Sequence, residues 1–389
     1  MSLSITACVV LAFAAFPFIY YLIALYSAWT FFKHRPNRSS GNAFTPPVSI
    51  LKPVRGLDTD AYENFATFCR QDYPEYEIVF CVGAPDDPIV PIIERLQRDY
   101  PQRQIRILFG SGRIATNDKV AKLARLASEA AYEHLVISDS DVRVRRDYLK
   151  QVIAPLLDKK VGAVTCLYVS SGEATFAERL QSVGMISDFY AGLLVARELD
   201  GVKFALGPTI STTRERLASF GGYETIENRP GDDLLVGRLI AEQGYQIELS
   251  EYTVDTVADY QSMNDLLHKR LRWLVVMRHM RPWGHLGLLF THGLLWALIA
   301  LAVHPSVGVG LIYFGLYAVL RSAVAWSIGA RGLRQPGWGR SLWLLPVWDA
   351  FALVMWFASF VKNTVRWRGG DYYIRNGELV PAVTNSAGN

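Results

Sequence analysis

Charged residues are few in this chain, and one long segment has none. Asp, Glu, Lys and Arg make up 20% of the 389 residues, whereas 51% are apolar. No charged side chain occurs at positions 5–32, and only scattered ones occur at positions 286–360. This composition excludes an ordinary soluble protein. It predicts, in order, a transmembrane anchor (1–34), a charge-rich domain (45–280), a transmembrane bundle (281–361) and a tail (362–389).

Cysteine is also scarce, and its spacing excludes the usual cysteine-based sites. The four cysteines form no CxxC pair and no Cys/His cluster with zinc-ligand spacing. Cys81 and Cys166 lie in apolar runs that are typical of strands. We therefore expect reduced, buried thiols in a cytosolic domain.

The sequence contains no nucleic-acid-binding module and no repeat, and its formal net charge is only +4. The basic residues gather beside the apolar segments, where anionic lipid headgroups attract them. They are His34, Arg35, Arg38, Lys269, Arg270, Arg272, Arg278 and Arg281. We therefore expect a lipid bilayer, and no nucleic acid, as a partner.

The first apolar run, 5–32, exceeds the roughly 20 residues that a membrane crossing requires. A signal peptide would carry Lys or Arg before a shorter apolar core, and no basic residue precedes this run. We therefore expect a retained anchor. Because positive charge follows the run, the positive-inside rule predicts an outer N-terminus and a cytosolic charge-rich domain.

Three further apolar runs, at 286–303, 307–328 and 342–360, predict C-terminal crossings. His304-Pro305 predicts a tight turn between the first two. Three crossings would leave the basic tail on the outer side, against the positive-inside rule. Its basic residues are Lys362, Arg366 and Arg368. Either the tail is an exception or one segment is re-entrant, and the sequence leaves both interpretations open.

Two charged residues, Arg321 and Asp349, fall inside apolar runs. Charge within a bilayer is costly, so such residues usually face the interior of a helix bundle and often pair. The sequence is consistent with an Arg321–Asp349 ion pair. It is equally consistent with two separate side chains that reach the membrane surface.

The charge-rich domain alternates short apolar runs with helical patterns. The runs at 48–51, 76–83, 105–109 and 134–138 predict buried strands, and the segments 60–71, 89–100 and 117–132 predict helices. This alternation indicates a mostly parallel sheet covered by helices on both faces. Ligands bind such sheets at the carboxyl ends of the strands. We therefore expect loops 52–56, 84–88, 110–117 and 139–142 to line one site.

Asp139-Ser140-Asp141, directly after the fourth run, is the strongest local motif. Two carboxylates at a strand end can hold a divalent cation against a diphosphate. The alternative is a turn, or a cap for a helix at 146–152. Asp86-Asp87, after the second run, predicts contacts with a base or ribose, with Asp87 favoured, or else a solvated turn.

Two later motifs carry a functional and a structural interpretation each. The acidic pair Asp232-Asp233 opens a helical pattern, so it either caps a helix or supplies Asp233 as a general base. Lys269, Arg272 and Trp273 precede the transmembrane bundle. They form either a basic interfacial helix with a Trp anchor or a cationic and aromatic cover for a diphosphate.

Taken in order, these motifs resemble those of inverting nucleotide-sugar glycosyltransferases of the GT-A fold. That pattern is an Asp after a strand, a DxD-like element, a later Asp in an acidic pair and (Q/R)xxRW. The matching residues are Asp87, Asp139, Asp141, Asp233 and Lys269 to Trp273. The chain looks most similar to ceramide glucosyltransferases and bacterial hopanoid-modifying relatives. Supporting stretches are 49–56, 72–77, 81–88, Asn117 with Lys119, and 137–141.

The resemblance implies a Rossmann-like GT-A domain with one N-terminal and about three C-terminal transmembrane helices. It implies transfer of a sugar from a UDP-sugar to a lipid hydroxyl, with Mg²⁺ or Mn²⁺, at a bacterial inner membrane. The implied substrate-binding residues are Lys52, Pro53, Asp87, Lys119, Asp139 and Lys269; the metal ligands are Asp139 and Asp141; the catalytic residues are Asp233, Arg272 and Trp273.

Two departures leave the sugar and the acceptor open. Lys269 replaces the Gln or Arg of (Q/R)xxRW, and 181–190 lacks a His associated with ceramide-glucosylating members. The stretch 277–285 looks more like the hopanoid branch, whose donor is UDP-N-acetylglucosamine. Glucose or N-acetylglucosamine, and ceramide or a hopanoid, remain the alternatives.

Three other functions are compatible with parts of the pattern. A processive polysaccharide synthase shares these motifs but needs a polymer channel, usually with more membrane helices. A polyprenyl-phosphate sugar transferase is similar in outline. A non-catalytic membrane scaffold would need neither Asp233 nor the Asp139-Asp141 pair.

Overall fold

The computed structural model describes residues 4–33, 44–170, 175–257, 262–335, 337–367 and 370–382. Several basic residues that bear on the predicted membrane orientation lie outside these ranges. They are His34, Arg35, Arg38 and Arg368.

The described strands form one eight-stranded sheet and one three-stranded sheet. The larger contains β1 (Val48–Pro53), β2 (Tyr76–Val82), β3 (Gln104–Phe109), β4 (His134–Ile137), β5 (Val142–Arg143), β6 (Val161–Ser170), β7 (Ile210–Thr213) and β8 (Gln246–Thr256). The smaller contains β9 (Thr364–Trp367), β10 (Gly370–Arg375) and β11 (Glu378–Pro381).

Helices surround the larger sheet and form the apolar bundle. Those of the charge-rich domain are α3 (Ala61–Cys69), α4 (Val90–Asp99), α5 (Asp118–Glu129), α6 (Tyr148–Ile153), α7 (Phe176–Gly184), α8 (Tyr190–Asp200), α9 (Arg214–Ala218), α10 (Asp232–Glu242) and α11 (Met263–Met280). The others are α1 (Ile5–Ala14), α2 (Phe16–Lys33), α12 (Pro282–Gly287), α13 (Gly293–Val303), α14 (Val307–Trp326) and α15 (Leu345–Val361). A π-helical turn, Met185–Phe189, joins α7 to α8.

The strand order across the larger sheet is β3-β2-β1-β4-β7-β6-β8-β5. β1 pairs in parallel with both β2 and β4, and β2 pairs in parallel with β3. β7 runs antiparallel to β4 and β6, and β5 runs antiparallel to β8. The four predicted strands and three predicted helices are therefore confirmed as β1–β4 and α3–α5, and the sheet is mostly parallel, as expected.

Helices cover both faces of the parallel half, which explains why its strands are continuous apolar runs. Successive side chains of a strand point to opposite faces. Accordingly Ile50 packs in a cluster with Phe65 of α3, whereas Leu51 packs in a second cluster with Leu123 of α5. Cys69, Cys81 and Cys166 are buried free thiols, and Cys8 is exposed.

Three of the described helical segments are long and apolar enough to cross a membrane. They are Ile5–Lys33, Val307–Gly332 and Trp338–Val361. The pair Pro282–Thr291 and Gly293–Val303 is a fourth candidate if it forms one span, and it bends by 59° between its halves. These findings confirm one N-terminal and two or three C-terminal apolar helices. The predicted turn at His304-Pro305 joins α13 to α14.

A buried ion pair joins two of the apolar helices. Arg321 of α14 donates to the two carboxylate oxygens of Asp349 of α15 at 3.0 and 2.5 Å. Tyr317 donates to the same carboxylate at 2.9 Å, and Arg321 also donates to the Ser187 carbonyl in the π-helical turn. Both charged side chains are 6% exposed. The ion-pair interpretation is therefore correct.

The small sheet of the tail packs against the charge-rich domain. Val365 and Leu379 are buried against Leu271 and Val275 of α11. The N–H of Leu379 donates to the Asn228 carbonyl at 2.7 Å. The tail therefore touches the domain directly, an arrangement for which the sequence had provided no prediction.

Candidate functional site

Lys119 joins the two acidic motifs of the site. It lies in the first turn of α5, and its Nζ is 2.8 Å from Asp139 Oδ1 and 3.1 Å from Asp232 Oδ2. Burial acts to lower the pKa of Lys119, but the carboxylates of Asp139, Asp232 and Asp233 outweigh burial and raise it above its ordinary value. A permanently charged lysine therefore reduces the repulsion among these carboxylates.

Gly207 gives the same motifs room to approach each other. Its N–H donates to Asp233 Oδ2 at 2.9 Å. A Cβ atom at position 207 would lie 3.0 Å from Asp139 Oδ2 and 3.3 Å from Asp233 Oδ2. The two carboxylates therefore flank one stretch of glycine backbone, just before β7.

The two members of the acidic pair have different surroundings. Asp232 is buried and bonded to Lys119, whereas Asp233 is only partly buried. Burial, followed by the charge of Asp232, raises the pKa of Asp233 to about 6. Asp233 is therefore the carboxylate that a ligand can reach, and a pKa near the working pH suits a group that accepts a proton.

Lys52 lies beneath the loop that carries Asp139. Its Nζ donates to Ser138 Oγ at 3.0 Å and to the Asp139 carbonyl at 2.8 Å. The ammonium also lies 3.5 Å from the ring centroid of Phe68. The side chain is fully buried, and burial lowers the pKa of Lys52 to about 7. Lys52 thus fixes the loop, while its contact with a ligand, like that of Pro53 at the end of β1, stays a prediction.

A cavity of about 440 Å³ opens beyond the carboxyl ends of β1 and β2. Its lining residues are Arg55, Gly83, Ala84, Asp86, Asp87, Pro88, Asp118 and Lys122. The Asp87 carboxylate accepts from Gly56 N at 3.0 Å and from Ile89 N at 3.0 Å, so it holds two loops together at the cavity wall. Asp87 therefore stabilises the turn, as the structural interpretation predicts, and it also lines a cavity that could hold a ligand.

Asp141 lies where the sheet meets α11. Burial, and then the charge of Asp139, raises the pKa of Asp141 to about 6, while Lys269 acts in the opposite direction. Arg272 and Trp273 follow Lys269 by three and four positions, a spacing that puts all three on one face of α11. The Lys269 ammonium is 5.7 Å from the Trp273 ring centroid. The motif on α11 therefore lies beside the second acid of the DxD element.

The structure also tests the capping interpretations. α6 begins at Tyr148 with Asp147 at its N-cap, so neither Asp139 nor Asp141 caps that helix. α10, in contrast, begins at Asp232 with Gly231 at its N-cap, and the acidic pair lies in its first turn. The helix dipole therefore does stabilise the pair. This role is compatible with catalysis, because Asp233 stays partly exposed.

Sequence reasoning missed several residues of the site. Asp118 and Lys122 line the cavity and pair at 2.8 Å, and Lys122 also donates to the Val54 carbonyl at 3.1 Å. Asp118 and Lys122 are four positions apart on the helix that carries Lys119. This spacing indicates an ion pair next to Lys119 and could have identified both residues. Gly207 gave no such signal, because its approach to Asp139 depends on long-range strand pairing.

The third predicted loop, 110–117, has a different set of contacts. Arg113 pairs with Glu227 at 3.1 Å, and Asn117 donates to the Arg229 carbonyl at 3.0 Å. This loop therefore braces the segment that leads into Asp232. The loops after β1 and β2 line the cavity, and Lys52 near the end of β1 holds the loop after β4 that carries Asp139.

Together these contacts define what the site can do chemically. Two neighbouring carboxylates can hold a cation, a separate partly exposed carboxylate can accept a proton, and a cavity lies at the adjacent strand ends. Leu234, which follows Asp233, packs against the buried cluster that α2, α8 and α14 share. Asp233 therefore directly precedes a residue that packs on the cluster joining the domain to the apolar helices.

The sequence model of glycosyl transferase family 21 matches residues 9–380, nearly the whole chain. This chain belongs to glycosyl transferase family 21. Ceramide glucosyltransferase 3 of Caenorhabditis elegans is 24% identical over 395 residues, which cover 97% of this chain and 84% of that protein. The ceramide glucosyltransferase of Komagataella phaffii is 33% identical over 134 residues, which cover 32% of this chain and 26% of that protein. This family 21 protein is therefore a hexosyltransferase, and its resemblance to the ceramide glucosyltransferase group is confirmed.

A solved structure shares its architecture. The mannosyltransferase PcManGT from Pyrobaculum calidifontis, solved in complex with GDP-Man and Mn²⁺, aligns with a TM-score of 0.56 at 19% identity. The alignment covers 92% of this chain and 98% of the mannosyltransferase. At this identity the likeness shows the fold alone, and it confirms the predicted GT-A architecture.

Proposed function

We propose that this family 21 protein transfers one glucose or N-acetylglucosamine residue from a UDP-sugar to the hydroxyl group of a membrane lipid, with inversion at the anomeric carbon. The observation that carries the proposal is the meeting of Asp139, Lys119 and the Asp232-Asp233 pair around Gly207. This cluster lies at the strand ends, beside the apolar helices, where a donor diphosphate and a lipid hydroxyl can meet.

The donor would lie across the carboxyl ends of β1, β2 and β4. Its nucleoside would occupy the cavity of about 440 Å³, with Asp86 and Asp87 as hydrogen-bond acceptors. Its diphosphate would lie toward Asp139 and α11, where Lys269 and Arg272 supply positive charge. Trp273 would cover the leaving group and exclude water.

The donor set fits Mg²⁺ or Mn²⁺ as a cofactor. Asp139 and Asp141 provide two carboxylates whose mutual repulsion contributes to the raised pKa of Asp141. Among the described residues no cluster of three or more His, Cys, Asp or Glu side chains could hold a metal ion. Mg²⁺ is typically held by one or two carboxylates together with substrate phosphates, which is the set available here. When bound, the ion would neutralise charge on the departing diphosphate.

Asp233 would be the general base. Its carboxylate takes the proton from the lipid hydroxyl as that oxygen attacks the anomeric carbon, and the bond between this carbon and the diphosphate oxygen breaks. The diphosphate leaves as UDP with the bonding electron pair. Gly207 N and Leu234 N each donate to this carboxylate, at 2.9 and 2.8 Å, and so fix its direction.

The acceptor is either ceramide or a polyhydroxylated hopanoid. The named relatives favour ceramide and glucose, while the stretch 277–285 and the lack of a His at 181–190 favour a hopanoid and N-acetylglucosamine. In either case we expect the reaction at the cytosolic face of the membrane, in bacteria that of the inner membrane. A processive synthase or a polyprenyl-phosphate sugar transferase remains the alternative, distinguished by its product.

Replacing Asp233 with Asn tests the proposal directly. A general base typically contributes 10²- to 10⁴-fold to the rate, so glycolipid formation by Asp233→Asn should fall by about this factor. UDP binding, measured by calorimetry on detergent-solubilised protein, should stay within a few-fold of wild type. Asp158→Asn, on the exposed surface, is the matched control and should leave both properties unchanged. Wild-type turnover by Asp233→Asn would refute the assigned role.

A further inference from the structure

The tail lies on the same side of the apolar helices as the charge-rich domain. Leu379 is buried against Leu271 of α11 and donates to the Asn228 carbonyl at 2.7 Å. A chain that leaves this domain and returns to it crosses a bilayer an even number of times. The three C-terminal apolar segments therefore cannot all be complete crossings.

α14 accounts for one crossing, because it runs antiparallel to α1 and α2. Near its start, Tyr313 donates to the Leu11 carbonyl at 2.7 Å. Beyond its end, Gly332 lies against the ring of Phe32, near the end of α2. The start of α14 is therefore far from the charge-rich domain and its end is near. α12 and α13 must carry the chain to the far end, which makes the second crossing.

Both ends of α15 lie on the near side. Before it, Trp338 donates from Nε1 to the Ala325 carbonyl at 3.0 Å, close to the end of α14. After it, Arg278 of α11 donates to the Lys362 carbonyl at 3.2 Å and to Asn363 Oδ1 at 2.8 Å. A helix that begins and ends beside the same domain has not crossed the membrane.

α15 also contacts the charge-rich domain and its adjoining helices between its ends. The ring of Trp348 packs directly against Gly184 of α7, and the guanidinium of Arg270 lies 5.1 Å from that ring. Farther along, Trp356 donates to the His285 carbonyl at 2.9 Å. α11 packs against the small sheet of the tail through Leu271 and Val275, so it lies outside the hydrocarbon, and α15 runs alongside it.

We infer that α15 lies in the plane of the bilayer surface, on the side of the charge-rich domain, with one face inserted in lipid. The outward face of α15 is wholly apolar. By length and composition alone, α15 could also cross a membrane. The large outward side chains of α15, 38–85% exposed, are Val347, Val354, Phe357, Phe360 and Val361. Its polar residues Asp349 and Ser359 point inward and are buried. Hydrocarbon is the surrounding that such an outward face requires.

This placement also accounts for the charge of the tail. Lys362 and Arg366 are exposed just beyond α15 and therefore lie at the membrane surface on the near side. There they obey the positive-inside rule together with the charge-rich domain. Of the two interpretations left open by the sequence, the non-crossing segment is the one supported, and α15 is that segment. The inference goes beyond the proposed function and does not depend on the sugar or the acceptor.

Labelling of single cysteines in proteoliposomes tests the side of the tail. In a Cys8→Ser background the remaining native cysteines are buried. One exposed residue at a time is then replaced with cysteine: Lys159→Cys on the charge-rich domain, Glu378→Cys on the tail or Pro305→Cys on the far turn. With an impermeant maleimide, the labelled fraction at Glu378→Cys should equal that at Lys159→Cys and be complementary to that at Pro305→Cys. A fraction at Glu378→Cys that follows Pro305→Cys would overturn the inference.

The depth of α15 provides a second, independent test. A fluorophore is attached in turn at Val347→Cys, Val354→Cys and Val361→Cys, and quenching is measured with lipids that carry a quencher at defined depths. An in-plane helix predicts one shallow depth for all three positions. A crossing helix rises about 21 Å over these 14 residues, so a stepwise change of depth would contradict the inference. Melting temperatures confirm that each variant is folded.

Discussion

At the scale of single residues, Lys119 determines how three carboxylates coexist. Its ammonium bonds Asp139 and Asp232, which belong to motifs far apart in the sequence. Asp233 instead accepts backbone N–H groups from Gly207 and Leu234. This division of roles explains why one Asp of the pair is structural and the other is suited to take a proton.

A side chain at position 207 should disturb the two carboxylates. In Gly207→Ala the new Cβ would press on Asp139 Oδ2 at 3.0 Å and on Asp233 Oδ2 at 3.3 Å. The two carboxylates would have to move by a few tenths of an ångström. Because a displacement of about 1 Å can cost 10²-fold in an active site, we expect kcat/KM for glycolipid formation to fall about tenfold. Gly287→Ala, which meets open space, is the matched control. Equal activity of the two variants would show that the carboxylates are not held by this glycine.

The pH dependence of kcat should report Asp233. Its pKa is raised to about 6 by burial and then by Asp232. A general base acts when deprotonated, so kcat should fall as the pH drops through about 6 and level off above it. Asp232→Asn removes a negative neighbour and should move this acid limb to lower pH. Profiles of both proteins measure the shift, and a limb that stays in place or moves upward would exclude the assignment.

Much of the site could be predicted from the sequence because its motifs follow strands. Asp139 comes directly after an apolar run and Asp87 follows another by four residues, and parallel strands bring their carboxyl ends to one edge. The Asp232–Lys119 pair and the role of Gly207 could not be predicted, since they depend on β7, a short polar strand placed by antiparallel pairing with β4.

At the scale of helices and strands, the Arg321–Asp349 pair fastens α14 to α15 and to the π-helical turn. Arg321 reaches the Ser187 carbonyl, and the neighbouring Asp188 pairs with Arg270 of α11. These contacts connect the apolar helices to the helix that carries Lys269 and Arg272. The pair therefore helps to position the charged face of α11.

Breaking one half of this pair should destabilise the protein more than removing both halves. A single partner left buried without its counter-charge typically costs about 3–5 kcal/mol, whereas apolar replacement of both is often nearly neutral. We expect Arg321→Met and Asp349→Leu each to lower the melting temperature in detergent, and the double variant to recover most of the loss. Breaking the exposed Arg238–Glu242 pair, the control, should change it little. Additive losses would show that the two residues act separately.

The elements that sequence reasoning missed share a physical cause. The Asn376-Gly377 dipeptide is a hairpin signal, and both residues adopt positive φ in the turn between β10 and β11. The strands beside it mix polar and aromatic residues, so they lack the apolar runs that identified β1–β4. Likewise, the bend between α12 and α13 falls at Thr291-His292-Gly293, inside an apolar run that the sequence pattern presents as one crossing.

At the scale of the whole molecule, the charge-rich domain packs against α2, the second helix of the N-terminal apolar segment. Thr30 of α2 donates to Glu198 of α8 at 3.0 Å. The hydroxyl of Tyr20 of α2 lies against Gly192 of α8. The domain therefore has a fixed orientation toward the apolar helices. This orientation brings Leu234 and Trp273 to the shared buried cluster and sets Asp233 beside it.

The most direct test is to identify the product. Purified protein in mixed micelles is incubated with Mg²⁺ or Mn²⁺, with UDP-glucose or UDP-N-acetylglucosamine, and with ceramide or a polyhydroxylated hopanoid, and the lipids are analysed by mass spectrometry. We predict the addition of a single sugar to one of these lipids, lost with EDTA and in Asp233→Asn. A sugar polymer, or release of UDP with no glycolipid, would contradict the account.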